Sequence, residues 1–168
     1  MTGTNIRRRL AVAVGGVVTA GLVAIGLPAE GAQAKTAPAN PAPASPADTA
    51  ARNSAGVSAA DQDSACNRLS GGTGDLCLWY FTNFGGSFSD FYFADNNLND
   101  NFFVAPGSGK GQRVGNNTMS AVNFDNIFTA QLWTGTNWTG YYINLYPGSG
   151  SPNFGTFFNN NFESFKWI

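Results

Sequence analysis

The sequence predicts an all-β sandwich of two Greek-key motifs, and two observations carry that prediction. The first is a phrase written twice. Leu78-Trp79-Tyr80-Phe81-Thr82-Asn83-Phe84-Gly85-Gly86 returns as Leu132-Trp133-Thr134-Gly135-Thr136-Asn137-Trp138-Thr139-Gly140. Each copy holds an aromatic, four residues, an aromatic, one residue and Gly, and internal repetition constrains architecture before any other signal. The second observation is that short apolar, aromatic-rich runs alternate with Gly- and Asn-rich turn signals. With 14% aromatic residues, 21 glycines and only 11% charged residues, this pattern suits short strands rather than helices.

Taken in order, Leu76 to Phe81 reads as a first strand. Ser87 to Phe93 is a second, with Phe88, Asp90 and Tyr92 on one face. Asp95-Asn96-Asn97 is a turn and Asn101 to Val104 a short third strand. The loop Ala105-Pro106-Gly107-Ser108-Gly109-Lys110-Gly111 follows, and Met119 to Phe124 is a fourth strand. The second half repeats the order. Ile127 to Trp133 and Tyr141 to Tyr146 are strands, Pro147 to Pro152 is a loop, Gly155 to Phe158 is a short strand, and Phe162 to Ile168 closes the chain. Four strands with a long connection before the last is Greek-key connectivity. Two such keys, at about 76–124 and 127–168, make a sandwich. Gly86 and Gly140 can take the positive φ that folds the first hairpin of each key over. Trp79, Phe84, Trp133 and Trp138 are expected in the core and at these corners, with stacking on a carbohydrate as the alternative use.

Ahead of this domain, taken as 65–168, residues 1–34 read as a secretory signal. Arg7, Arg8 and Arg9 precede an apolar run from Leu10 to Leu27, and Ala32-Gln33-Ala34 places small residues at the cleavage positions. A retained membrane anchor is the competing reading, since the run approaches spanning length. Residues 35–64 are rich in Ala and Pro and are expected to be a disordered linker or pro-segment. In an exported protein, Cys66 and Cys77 are expected to be bonded to each other. Closing so short a loop contributes about 3 kcal/mol in the chain-entropy model.

Composition also excludes. There is no histidine, which removes a His triad, a His zinc site and a His general base. Two cysteines are too few for a Cys-ligated zinc finger. Cleavage after Ala34 would leave six basic and nine acidic residues, a net charge of about −3, which argues against nucleic acid as a partner.

The duplicated phrase, followed in each half by an Asn-Asn segment, resembles the βγ-crystallin Greek key. These segments are Asn116-Asn117-Thr118-Met119-Ser120-Ala121 and Asn159-Asn160-Asn161-Phe162-Glu163-Ser164. With the signal and the disulfide before the first strand, the chain resembles the Streptomyces metalloproteinase-inhibitor family over roughly Cys66 to Ile168. The resemblance implies a secreted, extracellular inhibitor of metalloproteases that inserts a loop into the protease cleft. It implies a monomer that is not an enzyme and has no membrane partner after cleavage. The candidate loops are Val104 to Gly115, with Lys110, Gln112, Arg113 and Val114, and Tyr146 to Gly155. Both are Gly-rich, a poor route to rigidity. The brace of a second disulfide, known from the family's best-known form, is absent, and no reactive bond is assigned.

The resemblance also implies weak calcium binding, by hard oxygen ligands in a segment of Asn/Asp, Asn/Asp, two residues, Ser/Thr, Ser. Asn116, Asn117 and Ser120 match in the first key, with Ala121 at the final Ser. Asn159 and Asn160 match in the second, with Glu163 where the ligating hydroxyl is expected. The competing reading is that both segments simply turn the chain into its last strand. A calcium-binding module without inhibitory activity is the alternative function. An enzyme built on Asp90, Asp95, Asp100, Asp125 and Glu163 has no spacing to single out a catalytic pair.

Overall fold

A computed structural model describes residues 45–54, 62–69 and 71–168. The 1–34 signal expectation lies outside them. Among the described residues no helix is long and apolar enough to cross a membrane.

Seven strands form two antiparallel sheets. They are β1 (Leu76–Phe81), β2 (Gly85–Phe91), β3 (Ser120–Asn123), β4 (Ala130–Gly135), β5 (Thr139–Leu145), β6 (Gly150–Ser151) and β7 (Ser164–Trp167). One sheet runs β2-β1-β3-β6 and the other β5-β4-β7. Strand alternation sends Leu76, Leu78 and Phe91 of one sheet and Ala130, Leu132, Phe165 and Trp167 of the other into a shared core. Each such Leu or Phe contributes about 1.5–3 kcal/mol by burial.

The expected two-key sandwich is therefore present, and the keys are interlocked. β6 belongs to the second key by sequence but pairs with β3 of the first, Ala121 opposite Ser151. In exchange, Asp95 of the first key bridges Phe165 on β7. The folded hairpin tips follow the same logic. The Asn83 N–H donates to the Pro152 carbonyl (2.7 Å), and the Asn137 N–H donates to the Asn96 carbonyl (2.8 Å). Each key thus covers backbone that the other would leave as an open sheet edge.

Several expectations change. The short strand expected over Gly155 to Phe158 is a helical turn, α2 (Gly155–Phe158). The one expected over Asn101 to Val104 is reduced to a bridge between Phe102 and Arg113 after a 3₁₀ turn at Leu98–Asp100. The spacer expected over 35–64 contains a helix, α1 (Pro46–Ser54). Its start is a capping arrangement: the Asp48 N–H donates to Ser45 Oγ (3.1 Å) and the Ser45 hydroxyl donates to Asp48 Oδ2 (2.7 Å). Pro46 sits in the first turn, where a missing N–H costs nothing. Nine residues are too few for a stable isolated helix. Contacts of Arg52 and Asn53 with the sandwich hold it there.

The Cys66–Cys77 disulfide forms as expected, with Cα atoms 6.0 Å apart. It ties the segment before β1 to the strand itself. Next to it, the Asp63 and Ser64 N–H groups each donate to the Asp90 carboxylate at 3.0 Å.

Candidate functional site

The duplicated phrase builds two corners of the same design. Asn83 and Phe84 have φ of 57° and 59°, and Asn137 and Trp138 have 54° and 58°. Gly86 (77°) and Gly140 (84°) follow, as their place in the repeat predicts. Left-handed backbone at a bulky residue costs about 1–2 kcal/mol, so each corner needs a counterweight. In the first it is Ser120, whose Oγ accepts the Phe84 N–H (3.0 Å) and whose hydroxyl donates to the Phe81 carbonyl (2.6 Å). In the second it is Ser164, which accepts from Trp138 (3.1 Å) and donates to Gly135 (2.6 Å).

The repeat aromatics are corner residues, and they are not core. Alternation along β1 and β4 turns Leu78 and Leu132 inward, leaving Trp79 and Trp133 half-buried on the outer faces. Trp79 packs edge-on to Phe84 at 5.5 Å, and Phe84 is 41% exposed. Trp133 lies 4.6 Å from Tyr142, with the Lys166 ammonium 5.2 Å from its ring. The Trp138 indole N–H donates to the Phe165 carbonyl (3.0 Å).

The two serines also correct the register between the Asn-Asn segments. Ser164, and not Glu163, is the counterpart of Ser120. Asn160 (φ 56°) is then the counterpart of Asn116 (φ 60°), and Glu163 the counterpart of Met119. The segments clasp each other, with the Asn116 N–H on the Phe162 carbonyl (2.9 Å) and the Asn160 N–H on the Thr118 carbonyl (2.8 Å).

The calcium candidates separate accordingly. Ser120 is fully buried and its hydroxyl is spent on the corner. Asn159 is occupied by Asn153 and the Phe154 N–H. The Asn117 amide turns back to the Gly115 carbonyl (3.2 Å). Only Asn116 and Glu163 come together, the Asn116 amide donating to Glu163 Oε1 at 2.7 Å, with Asn99 Oδ1 at 3.4 Å from that amide. Among the described residues no three acidic or Cys side chains cluster as a metal-holding group. One carboxylate and two amides fit an open, water-completed site and fall short of the oxygen shell calcium takes.

The loop Val104–Gly115 is anchored at both ends. Ala105 and Val114 are buried, Gly109 is half-buried, and positions 106–108 and 110–113 are exposed. The Val104 and Ala105 N–H groups donate to the Phe88 carbonyl, the Ser87 N–H to the Ser108 carbonyl (2.8 Å), and the Gly111 N–H to the Phe103 carbonyl (2.8 Å). Two of its glycines bring the loop against the sheet, while Gly111 meets nothing within 4 Å. Gly109, at φ +93°, lies against Tyr80 so closely that a Cβ would stand 2.3 Å from the ring. A Cβ on Gly107 would stand 2.9 Å from Gly86. Here glycine permits contact between loop and sheet, and contact restrains the loop. Lys110 stands at its tip, and the Arg113 guanidinium donates to the Asn99 carbonyl beside the Phe102 ring.

The second candidate loop, Tyr146–Gly155, is largely consumed by the fold. β6 lies within it, the Gly148 N–H donates to the Asp125 carbonyl (2.7 Å), and the Asn123 N–H donates to the Ser149 carbonyl (2.8 Å).

One buried charge pair has no signal along the sequence. Arg52 of α1 is buried, and its guanidinium pairs with the fully buried carboxylate of Asp125. Burial lowers the Arg52 pKa and the Asp125 charge opposes that fall. Ser45-Pro46-Ala47-Asp48 was a readable helix start, but nothing local marks Arg52 as an anchor.

No curated protein matches the chain. Among solved structures, it is similar to one described under the evolution of the eye lens βγ-crystallin domain fold, at 18% identity and TM-score 0.48, covering 57% of this chain and 86% of that one. It is also similar to a βγ-crystallin from an archaeon (19%, 0.43, 56% and 96%) and to a double mutant of a βγ-crystallin domain from Clostridium beijerinckii (16%, 0.43, 56% and 96%). The model of peptidase inhibitor family I36 matches residues 59–145, more than half of the chain. The chain belongs to that family: it is a peptidase inhibitor, not an enzyme.

Proposed function

We propose that this inhibitor is secreted, acts as a monomer on an extracellular metalloprotease, and does so by inserting the loop Val104–Gly115 into the protease cleft. The observation that carries this reading is the seating of Gly109 on Tyr80. A loop already held in shape loses little conformational entropy on binding, so more of its contact energy appears as affinity. The exposed stretch from Pro106 to Arg113 offers a backbone for the cleft, with Lys110 and Gln112 as specificity elements. Export, read from residues 1–34, agrees with a disulfide at Cys66–Cys77, since such bonds persist in oxidising compartments.

The test is a titration of the purified protein against thermolysin-like and serine proteases, with Lys110→Ala and Gln112→Ala alongside. Stoichiometric inhibition of the metalloprotease, weakened by a tip substitution that leaves the melting temperature alone, supports the reading. Inhibition confined to serine proteases, or indifferent to the tip, removes it.

Calcium binding is the alternative role, supported by the approach of Asn116 to Glu163. Those two residues with Asn99 would hold the ion, and water would complete its shell. Calcium would supply local stability between the keys.

A further inference from the structure

The Arg52 guanidinium sits in a pocket made by the sandwich. It pairs with Asp125, donates through Nη2 to the Gly74 carbonyl (2.8 Å), and donates through Nη2 and Nε to the Tyr92 carbonyl (2.6 and 3.0 Å). Its carbon lies 4.1 Å from the Tyr92 ring centroid, 4.0 Å from that of Trp167 and 5.1 Å from that of Phe128.

The walls of this pocket are held without help from α1. Asp125 accepts the Gly74 N–H through Oδ2 (3.0 Å), and the Ile127 and Phe128 N–H groups through Oδ1 (2.6 and 2.7 Å). The Trp167 indole N–H donates to the Tyr92 carbonyl at 2.9 Å. A carboxylate, two carbonyls and aromatic faces so arranged match a planar, forked, weakly hydrated cation and not a compact ammonium. By contrast, α1 is mostly exposed and reaches the sandwich chiefly through Arg52 and through Asn53, whose amide pairs with both backbone groups of Trp167 (2.8 and 2.9 Å).

We propose that this pocket is a guanidinium-binding site of the folded domain, filled in cis by Arg52 and able to take an arginine side chain in trans when Arg52 is withdrawn. The N-terminal segment is then a tethered ligand of the inhibitor. The proposal stands independently of the target protease and of the inserting loop.

The test uses the full chain carrying Arg52→Ala. Ethylguanidinium and ethylammonium are added separately at low millimolar concentration, and the melting temperature and tryptophan emission are followed. Ethylguanidinium is expected to raise the melting temperature saturably, by about 3–6 °C at ten times its Kd, and to shift the emission through Trp167. Ethylammonium is expected to do neither, and the wild type, whose pocket is full, to respond to neither. A synthetic peptide of residues 45–54 should act like ethylguanidinium, and its Arg52→Lys version should not. If Arg52→Ala does not fold alone, ethylguanidinium must restore its native circular dichroism. An equal response to both cations, an equal response in the wild type, or no response overturns the proposal.

Discussion

Ser164 in the second key does what Ser120 does in the first. Both are fully buried, both accept an N–H from a left-handed corner residue, and both donate at 2.6 Å to a carbonyl on the first strand of their own key. Neither corner can relax without stranding a buried donor and acceptor. The pair also defines which residues of the two halves correspond, which the Asn-rich spelling of the segments conceals.

Ser120→Ala and Ser164→Ala should therefore each destabilise the protein by about 1–3 kcal/mol, the cost of leaving a buried group unpaired. Glu163→Ala, at the position of Met119, should cost less than about 1 kcal/mol. Urea unfolding of the three variants measures this. A Glu163 cost equal to that of Ser164 would contradict the register.

Gly109→Ala and Gly111→Ala differ in a way that separates packing from backbone strain. Both glycines have positive φ, +93° and +82°, but a Cβ at Gly111 meets nothing within 4 Å. Gly111→Ala should cost about 1–2 kcal/mol from strain alone. Gly109→Ala adds a clash with Tyr80 and should cost more. Melting temperatures decide the order, and if the loop is the inhibitory element, only Gly109→Ala should weaken inhibition at least about tenfold, the factor that 1.4 kcal/mol supplies.

Reduction of Cys66–Cys77, or Cys66→Ser with Cys77→Ser, should remove about 3 kcal/mol in the chain-entropy model. Denaturant midpoints with and without reductant give the value. No change in midpoint would mean that the bridge constrains the unfolded chain far less than that model requires.

Asp90 makes stability depend on pH. Burial pushes its pKa up to about 7, with Asp63 adding to the rise, against the opposing hydrogen bonds from the Asp63 and Ser64 N–H groups. An unfolded aspartate titrates near 4. Between those values the folded protein holds a proton that the unfolded chain releases, so this group's contribution falls as pH rises from about 4 to about 7 and is level above. The melting temperature should decline across that window, and Asp90→Asn should flatten the decline. A rise with pH that Asp90→Asn abolishes would reverse the assignment.

Calcium should raise the melting temperature only at millimolar concentration, as expected for one carboxylate and two amides. Glu163→Gln should abolish the response. A micromolar response, or one that survives Glu163→Gln, would place the ion elsewhere.

The fold was legible because its signals are periodic and local. Leu76 to Phe81 alternates like a half-buried strand and is one, and the repeated Gly86 and Gly140 mark corners by their position in a repeat. The short elements were not legible. Gly155–Phe158 is too brief for strand and helix periods to differ, and tertiary hydrogen bonds settle it. The repeat aromatics stand at the corners as expected but not in the core, because aromatic content does not say which face of a strand is inside; Leu78 and Leu132 occupy that face.

The sequence by itself determined the two keys, the corner glycines, the disulfide and the absence of His chemistry, since each depends on residue type at close spacing. Only the tertiary structure decided the rest. Arg52 and Asp125 are 73 residues apart, Gly109 meets Tyr80 across a loop, and Ser164 rather than Glu163 closes the second corner. Burial, charge pairing and steric contact act through space, and residues brought together by folding need carry no common signal along the chain.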